Sequence, residues 1–223
     1  KYFDLYEREK IEIPKISSEY LATLPELAVK SVRAKESQLN LEKERAQEIK
    51  EAYYATISFV DAQVGRILDQ LESSGLDKNT VVVFTSDHGY HLGEHGHWQK
   101  NTLFENATRV PLIISAPSSE NKGAKSISPV ELIDLYPTLM DLTKINTPEH
   151  VVGKSLKPIM KNVNASVRES ALTRWRKGYS IKTKRYRLTK WGRNGELGYE
   201  LYDHKNDKKE LTNLSSNQAY SEV

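Results

Sequence analysis

The chain contains no cysteine, which excludes disulfide bonds, thiolate metal ligands and a cysteine nucleophile from its 223 residues. It also lacks any apolar run near the roughly 20 residues of a membrane span, and no signal peptide opens it. Neither sign of charge is in large excess, because 33 basic and 30 acidic residues leave a net charge of only +3. The composition therefore predicts no general attraction to nucleic acid or to a membrane surface. The first residue is Lys1 rather than Met, so we expect the start of the gene product to lie upstream.

The remaining composition is that of an ordinary soluble globular protein, with 38% hydrophobic and 28% charged residues. The length suits one large domain, or one domain with a small satellite. Because the sequence pattern changes along the chain, we predict a main unit over residues 1–160 and a small subdomain over residues 161–223.

The first half of the chain predicts one long helix. Residues 1–40 show no sustained period and read as a loop-rich lead-in. From Leu41 onward apolar residues recur at steps of three and four, which is typical of a helix with one buried face. Asn40 is the predicted N-cap and residues 73–75 the stop, and the opposite, charged face is expected to be solvent-exposed. The apolar positions are Ala46, Ile49, Tyr53, Ile57, Val60, Val64, Ile67 and Leu71.

Two short, uniformly apolar runs follow, "TVVVFTS" at 80–86 and "VPLIISAP" at 110–117. Such runs predict strands inside a sheet that is covered on both faces. Helical spacing resumes over residues 128–143. This order of helix, strand, strand and helix predicts an α/β fold with a layered sheet.

The C-terminal part alternates apolar or aromatic residues with charged ones, in "ESALTRW", "GYSIKTKRYRLTKW" and "GYELYDH". This alternation predicts a small antiparallel sheet with one solvated face. The final stretch, "LSSNQAYSEV" at 214–223, is predicted to form a closing helix.

The stretch "TSDHGYHLGEHGHWQK", residues 85–100, directly follows the first predicted strand. Asp87 and His88 come first, and a carboxylate and an imidazole can both bind a divalent cation. Lys100 supplies a compact positive charge suited to an oxyanion. The alternative is a solvated polar turn, and neither HExxH nor paired CxxC spacing is present to indicate a zinc site. Three further histidines are interpreted as structural or substrate-facing rather than as ligands: His91, His95 and His97.

A family resemblance is carried by "VVVFTSDHGYHLGEHGHWQK" together with the "RVPLIISAP" that follows it. Both resemble the second signature region of the sulfatases, in the iduronate 2-sulfatase-like branch of the alkaline-phosphatase-like superfamily. Two more stretches, "VELIDLYPTLMDL" and "YELYDHKNDKKELTNLS", are typical of sulfatase C-terminal parts. The resemblance covers roughly residues 45–215 and implies part of an alkaline-phosphatase-like sheet layered with helices.

The resemblance also implies roles for individual residues. Asp87 and His88 would be metal ligands, and Lys100 a catalytic residue that binds the sulfate group. Calcium is the ion usual in sulfatases, which often have asparagine where this chain has His88. Histidine there is common in phosphatase and phosphonate hydrolase relatives, which favour manganese or zinc.

Sulfatases also need a formylglycine made from cysteine or serine in a C/S-x-P-x-R motif, and this chain has no such motif. The paired N-terminal aspartates that complete the metal site are missing too. We therefore expect the C-terminal portion of a sulfatase, whose formylglycine lies in an N-terminal part of the same protein. Alone it should be inactive. By resemblance, the full enzyme would be secreted, periplasmic or lysosomal and would hydrolyse a sulfated small molecule or carbohydrate.

Two other functions stay open. The chain could be the corresponding part of a phosphonate monoester or phosphodiester hydrolase, or a non-catalytic anion- or carbohydrate-binding module. Tyr90, His91, His97 and Trp98 could line a sugar pocket, or simply pack the loop. One basic residue near the C-terminus could reach an acidic sugar, although most are expected on the solvated face of the small sheet. The candidates are Arg174, Arg176, Lys177, Lys182, Lys184, Arg185, Arg187 and Lys190.

Overall fold

A computed structural model describes residues 1–117, 119 and 121–223. The lead-in is loop-rich as predicted, but it contains two short helices, α1 (Ser18–Ala22) and α2 (Glu26–Val32). The Ser17 side chain caps α1 by accepting a hydrogen bond from the Tyr20 N–H. Apolar residues at steps of four make these helices part of the buried core. That core comprises Tyr20, Leu24, Ala28, Val32, Leu103, Phe104, Trp191 and Tyr202.

The predicted long helix is present as α3 (Lys43–Ser73), with 31 residues. Its stop is also confirmed, because Gly75 follows with the positive φ of 70° that glycine tolerates best. The predicted N-cap is wrong: Glu42 occupies that position, and Asn40 instead bends the preceding chain with φ 54°.

The polar face of α3 is not wholly solvated, which corrects the expectation for its charged side. Gln47 and Lys50 are buried beneath the lead-in, where they donate hydrogen bonds to the carbonyl oxygens of Ile11 and Glu12, each at 2.9 Å. Buried polar groups must be hydrogen-bonded, and an irregular lead-in has free carbonyls to offer. The lead-in is therefore tied to α3 by these polar contacts as well as by aromatic packing of Tyr2 on Phe59 and of Tyr6 on Tyr54.

The two apolar runs form strands β1 (Val82–Thr85) and β2 (Leu112–Ser115), which pair antiparallel in a two-stranded sheet. The prediction that both faces are buried is wrong for this chain, because Phe84 is exposed and Ile113 is 60% exposed. A sheet of two strands, with no layer over these side chains, cannot bury them. Ile67 on α3 is similarly 67% exposed, although it belongs to the apolar stripe.

Two further helices, α4 (Glu105–Thr108) and α5 (Leu135–Thr143), flank β2 in the chain. Pro137 falls in the first turn of α5, where its missing N–H removes no helical hydrogen bond. A short helix, α6 (Lys157–Lys161), then leads to the C-terminal part. None of the described helices is both long and apolar enough to cross a membrane.

The predicted C-terminal antiparallel sheet is confirmed as a meander of four strands in sequential order. The strands are β3 (Ala171–Trp175), β4 (Gly178–Lys182), β5 (Tyr186–Trp191) and β6 (Tyr199–Asp203). One face is buried, but it carries Arg187, which was expected to be solvated. The closing helix is wrong, because only a 3-10 turn at Gln218–Tyr220 forms there. The chain is thus mixed α/β, and the boundary at residue 160 stays a prediction.

Candidate metal and anion site

The loop from Ser86 to Thr102 doubles back on itself beyond β1. The Gly93 N–H donates to the His97 carbonyl at 2.9 Å, and the His91 N–H donates to the Gln99 carbonyl at 2.7 Å. Gly93 has φ 101°, and a side chain there would press on the Trp98 ring at 3.1 Å. The return half of the loop, which ends at Lys100, is therefore fixed beside its outgoing half.

Asp87 and His88 lie at the start of this loop with their side chains open to solvent, Asp87 at 84% exposure. Asp87 Oδ1 accepts a hydrogen bond from the His88 N–H at 3.0 Å, and His88 Nδ1 lies 2.9 Å from the Gly89 carbonyl. Because a carbonyl only accepts, Nδ1 carries the proton, and in the neutral ring the lone pair is on Nε2. Asp87 Oδ2 and His88 Nε2 are 3.4 Å apart.

These two free donor atoms suit a shared divalent cation. Metal–ligand bonds of roughly 2.0–2.6 Å allow both atoms to reach one ion across their separation. Desolvation opposes ionisation of Asp87, but His88, backbone N–H groups and Ser86 together hold its pKa below the usual value. The carboxylate is therefore ready to bind. One oxygen and one imidazole nitrogen form a mixed donor set, which manganese and zinc accept more readily than calcium does.

Gly89 fixes the turn that presents these donors. Its N–H donates to the Ala107 carbonyl at 2.8 Å, and a Cβ atom on Gly89 would lie 2.0 Å from the Asn106 carbonyl oxygen. Only glycine permits this approach of the turn to α4. Helix α4 therefore holds the turn from behind while the side chains of Asp87 and His88 point away from the core.

Lys100 is exposed, and its carbonyl accepts a hydrogen bond from the Thr102 N–H at 2.8 Å. The hydrogen bond between His91 and Gln99 places the Lys100 segment next to the residues that follow His88. Tyr90 is half-buried and stacks on Tyr53 of α3, with ring centroids 5.3 Å apart. The roles of Lys100 and Tyr90 toward a substrate stay predictions.

His97 and Trp98 are buried, at 3% and 5% exposure. His97 Nδ1 lies 3.0 Å from the Val32 carbonyl, and the Trp98 ring packs against Gly93. In this chain neither residue offers a surface on which a sugar could stack. Their burial favours the loop-packing alternative over the predicted contact with substrate.

Three imidazoles of the loop form a buried cluster: His91, His95 and His97. The His91 ring meets those of His95 and His97 edge-on, at centroid distances of 5.6 and 5.1 Å, and His95 stacks on Phe104 at 3.9 Å. Burial, followed by the two neighbouring imidazoles, lowers the pKa of His91 to about 3. Burial likewise lowers the pKa of His95 to about 4 and that of His97 below its usual value. These histidines are neutral core residues.

A buried ionic network behind the loop was missed by the sequence reasoning. Arg187 Nε pairs with Glu210 at 2.5 Å, and Arg187 also pairs with Glu105. Glu210 accepts the Glu105 N–H at 2.7 Å and contacts His204 Nε2 at 2.7 Å. Burial raises the pKa of Glu210, but the charge of Arg187 and hydrogen bonds from His204, the Glu105 N–H and Arg187 together hold that pKa at about 2. The network thus ties the C-terminal sheet to α4.

Glu105, His204 and Glu210 are the one cluster of three potential metal ligands among the residues the structure describes. Arg187 already pairs with both carboxylates, so the cluster is best described as an internal ion pair network. No sequence signal could have found it, because its members are separated by up to 105 residues.

Two family models match the chain. The model "Sulfatase" matches residues 16–145, and the model "N-sulphoglucosamine sulphohydrolase, C-terminal" matches residues 93–223. A sulfatase from Formosa agariphila is 34% identical over 97% of this chain and 43% of its own length. Human iduronate 2-sulfatase is 37% identical over 46% of this chain and 23% of its own length. The chain spans about half or less of the length of these relatives.

Solved structures of similar proteins share the fold of this chain. A protein in complex with its substrate D-glucosamine-2-N,6-O-disulfate has a TM-score of 0.72 at 29% identity, over 88% of this chain and 42% of the other. A phosphonate monoester hydrolase from Silicibacter pomeroyi has a TM-score of 0.87 over 99% of this chain and 49% of its own. At 23% identity the latter likeness shows a shared fold alone. With a sulfatase model matched over more than half its length, this chain belongs to the sulfatase family.

Proposed function

We propose that this chain is the C-terminal part of a metal-dependent sulfatase that hydrolyses sulfate esters of carbohydrates. The observation that carries the proposal is the turn at Asp87 and His88, which presents two free donor atoms 3.4 Å apart at the start of the Lys100 loop. Family membership supports the reaction class. The sugar disulfate bound by one structural relative, and the iduronate sulfatase among the sequence relatives, support the substrate class.

Asp87 and His88 would hold the metal, through Oδ2 and Nε2, together with carboxylates from an N-terminal part of the protein. The bound metal would polarise the sulfate group as a Lewis acid. Calcium is the ion that the family implies, with manganese or zinc favoured by the imidazole of His88. The formylglycine nucleophile is expected in the N-terminal part.

Lys100 would act on the substrate rather than on the fold. Its side chain is exposed, and its ammonium group would neutralise charge on the sulfate oxygens as the ester bond breaks. The neighbouring loop residues are fixed by buried contacts, so the backbone from which this side chain projects is held in place.

A second candidate is a phosphonate monoester or phosphodiester hydrolase. It is favoured by His88, because an imidazole ligand suits the metals of such enzymes. Both reactions use an anionic tetrahedral substrate, a divalent metal and a lysine, so this loop would serve either. The third candidate, a binding module without catalysis, would keep the anion site and need no nucleophile.

The test uses the full-length protein with matched aryl sulfate and aryl phosphonate esters. We expect faster hydrolysis of the sulfate, and a loss of on the order of 100-fold in kcat/KM for Lys100→Ala with a nearly unchanged melting temperature. Lys78→Ala, which changes an exposed lysine in the turn before β1, is the matched control and should retain turnover. Faster hydrolysis of the phosphonate would support the second candidate, and anion binding without turnover the third. An active Lys100→Ala enzyme would remove Lys100 from the site.

A further inference from the structure

His91 contacts the chain on both sides of Lys100. Its N–H donates to the Gln99 carbonyl at 2.7 Å, and its Nε2 lies 2.8 Å from the Thr102 hydroxyl. Gln99 directly precedes Lys100, and Thr102 follows it by two residues. His91 itself follows His88 by three residues, so it joins the donor turn to the lysine segment.

The roles of the two ring nitrogens of His91 follow from their partners. Nδ1 lies 3.2 Å from the Glu94 carbonyl, which can only accept, so Nδ1 carries the proton. Nε2 is then the acceptor, and the Thr102 hydroxyl donates to it. His91 and Thr102 are both buried, so water does not compete for this hydrogen bond. Burial beside His95 and His97 keeps the pKa of His91 low and its ring neutral.

The position of the Lys100 ammonium group depends on how firmly the backbone around it is held. A lysine side chain is long and flexible, and its placement therefore relies on the backbone that carries it. Small displacements of a catalytic group cost rate steeply, up to about 100-fold for roughly 1 Å. A backbone segment held at Gln99 by the backbone N–H of His91, and at Thr102 by the His91 ring, restricts where the ammonium group can go.

We infer that the hydrogen bond between His91 and Thr102 positions Lys100 against Asp87 and His88. His91 and Thr102 are then positioning residues, since neither touches the reacting atoms. The role of Lys100 in sulfate ester hydrolysis, on which this inference rests, is that of the function proposed above.

The experiment is a double-mutant cycle in the full-length protein. Thr102→Val replaces the hydroxyl by a methyl group of similar size, and Thr102→Ser keeps the hydroxyl as the matched control. We expect Thr102→Val to lower kcat by about tenfold, and Thr102→Ser to stay within about twofold of the parent enzyme. In a Lys100→Ala background, Thr102→Val should change kcat by less than about twofold, because the group that it positions is gone. An equal loss in both backgrounds would overturn the inference, since it would mean general damage to the loop.

A second readout does not depend on turnover. Lys100 is acylated with an amine-reactive ester and quantified by mass spectrometry, with inorganic sulfate as the probe. Sulfate should protect Lys100 at least severalfold less well in Thr102→Val than in the parent protein and Thr102→Ser. If the protein hydrolyses neither sulfate nor phosphonate esters but this protection pattern holds, the proposed function fails and the positioning role stands. Equal protection in all three proteins would overturn the positioning role while leaving the proposed function intact.

Discussion

At the scale of single residues, Asp87 and His88 depend most on what lies outside this chain. They supply two donor atoms, whereas a divalent cation such as calcium takes about six to eight oxygen ligands. We therefore predict that Asp87→Ala in the full-length enzyme abolishes activity and lowers the bound metal measured by elemental analysis. Asp77→Ala, which changes an exposed aspartate in the turn before β1, is the matched control and should keep both. Full metal content in Asp87→Ala would contradict the assignment.

The same residues predict weak metal binding by the isolated chain. Two ligands hold a hard cation poorly, because most of its coordination shell stays water. Calorimetric titration of residues 1–223 with calcium should show no tight, stoichiometric binding. Such binding would mean that this chain holds a complete site, which contradicts a site shared with the N-terminal part.

The residues differ in how far their sequence pattern reveals them. The placement of Asp87, His88 and Lys100 in one loop is predictable because one short motif carries all three, directly after an apolar run; their roles stay predictions. Arg187 could not be placed, because alternation in β5 says which positions share a face but not which face is covered. Glu105 and Glu210, which pair with it, come from distant parts of the chain. The burial of His97 likewise depends on Val32, in a helix that was not predicted because its apolar repeat is short and interrupted by Pro25.

At the scale of elements, the loop between β1 and α4 makes stability depend on pH. The pKa values of His91, His95 and His97 in the folded state lie below the value of roughly 6.5 expected when unfolded. Each therefore contributes stability that is present above pH 6.5 and lost as the pH falls, at up to about 1.4 kcal/mol per pH unit. Glu200 has the opposite sign: burial raises its pKa to about 7, so its contribution is lost as the pH rises from about 4.5 to 7.

The stability lost by the three histidines exceeds the stability gained by Glu200, so we predict that the melting temperature falls as the pH is lowered from 7 to 5. Glu200→Gln removes the opposing contribution. It should therefore steepen the fall in unfolding free energy by up to about 1.4 kcal/mol per pH unit, the slope that one titrating group contributes. The measurement is thermal unfolding of the full-length protein and of Glu200→Gln over this pH range. A flat profile for both proteins would contradict the neutral, buried cluster. A lysosomal location, one of those that the resemblance implies, would place the protein where the predicted loss is largest.

Helices and strands were predictable where a regular pattern of apolar residues within a short window defines them. Helix α3 and strands β3–β6 follow from period and alternation, which are properties of short windows. The N-terminus of α3 was misplaced because Asn40 adopts a positive φ of 54°, and the helix begins only after Glu42, which makes no side-chain capping hydrogen bond. The exposure of β1 and β2 could not be foreseen from their composition, since burial depends on neighbours that a window of eight residues does not contain.

At the scale of the whole molecule, several apolar faces lack a covering layer within the described residues. Ile67 on α3 and Ile113 on β2 are mostly exposed, and both belong to patterns typical of buried faces. Strands β1 and β2 form a sheet of two, with edges open to pairing. The relatives are about twice as long as this chain, which is why we propose that an N-terminal part covers these faces.

We therefore predict that residues 1–223 expressed alone are aggregation-prone or loosely folded, and become well ordered when the N-terminal part is co-expressed. Size-exclusion chromatography and thermal unfolding compare the two preparations. Ile67→Glu sharpens the test: a charge on an exposed apolar face should improve the solubility of the isolated chain, yet weaken its association with the N-terminal part by burying an unpaired carboxylate. Glu72→Gln, an exposed polar change on the same helix, is the matched control and should alter neither. A cooperative, monodisperse monomer from residues 1–223 alone would contradict the need for a covering part, and would favour the binding module instead.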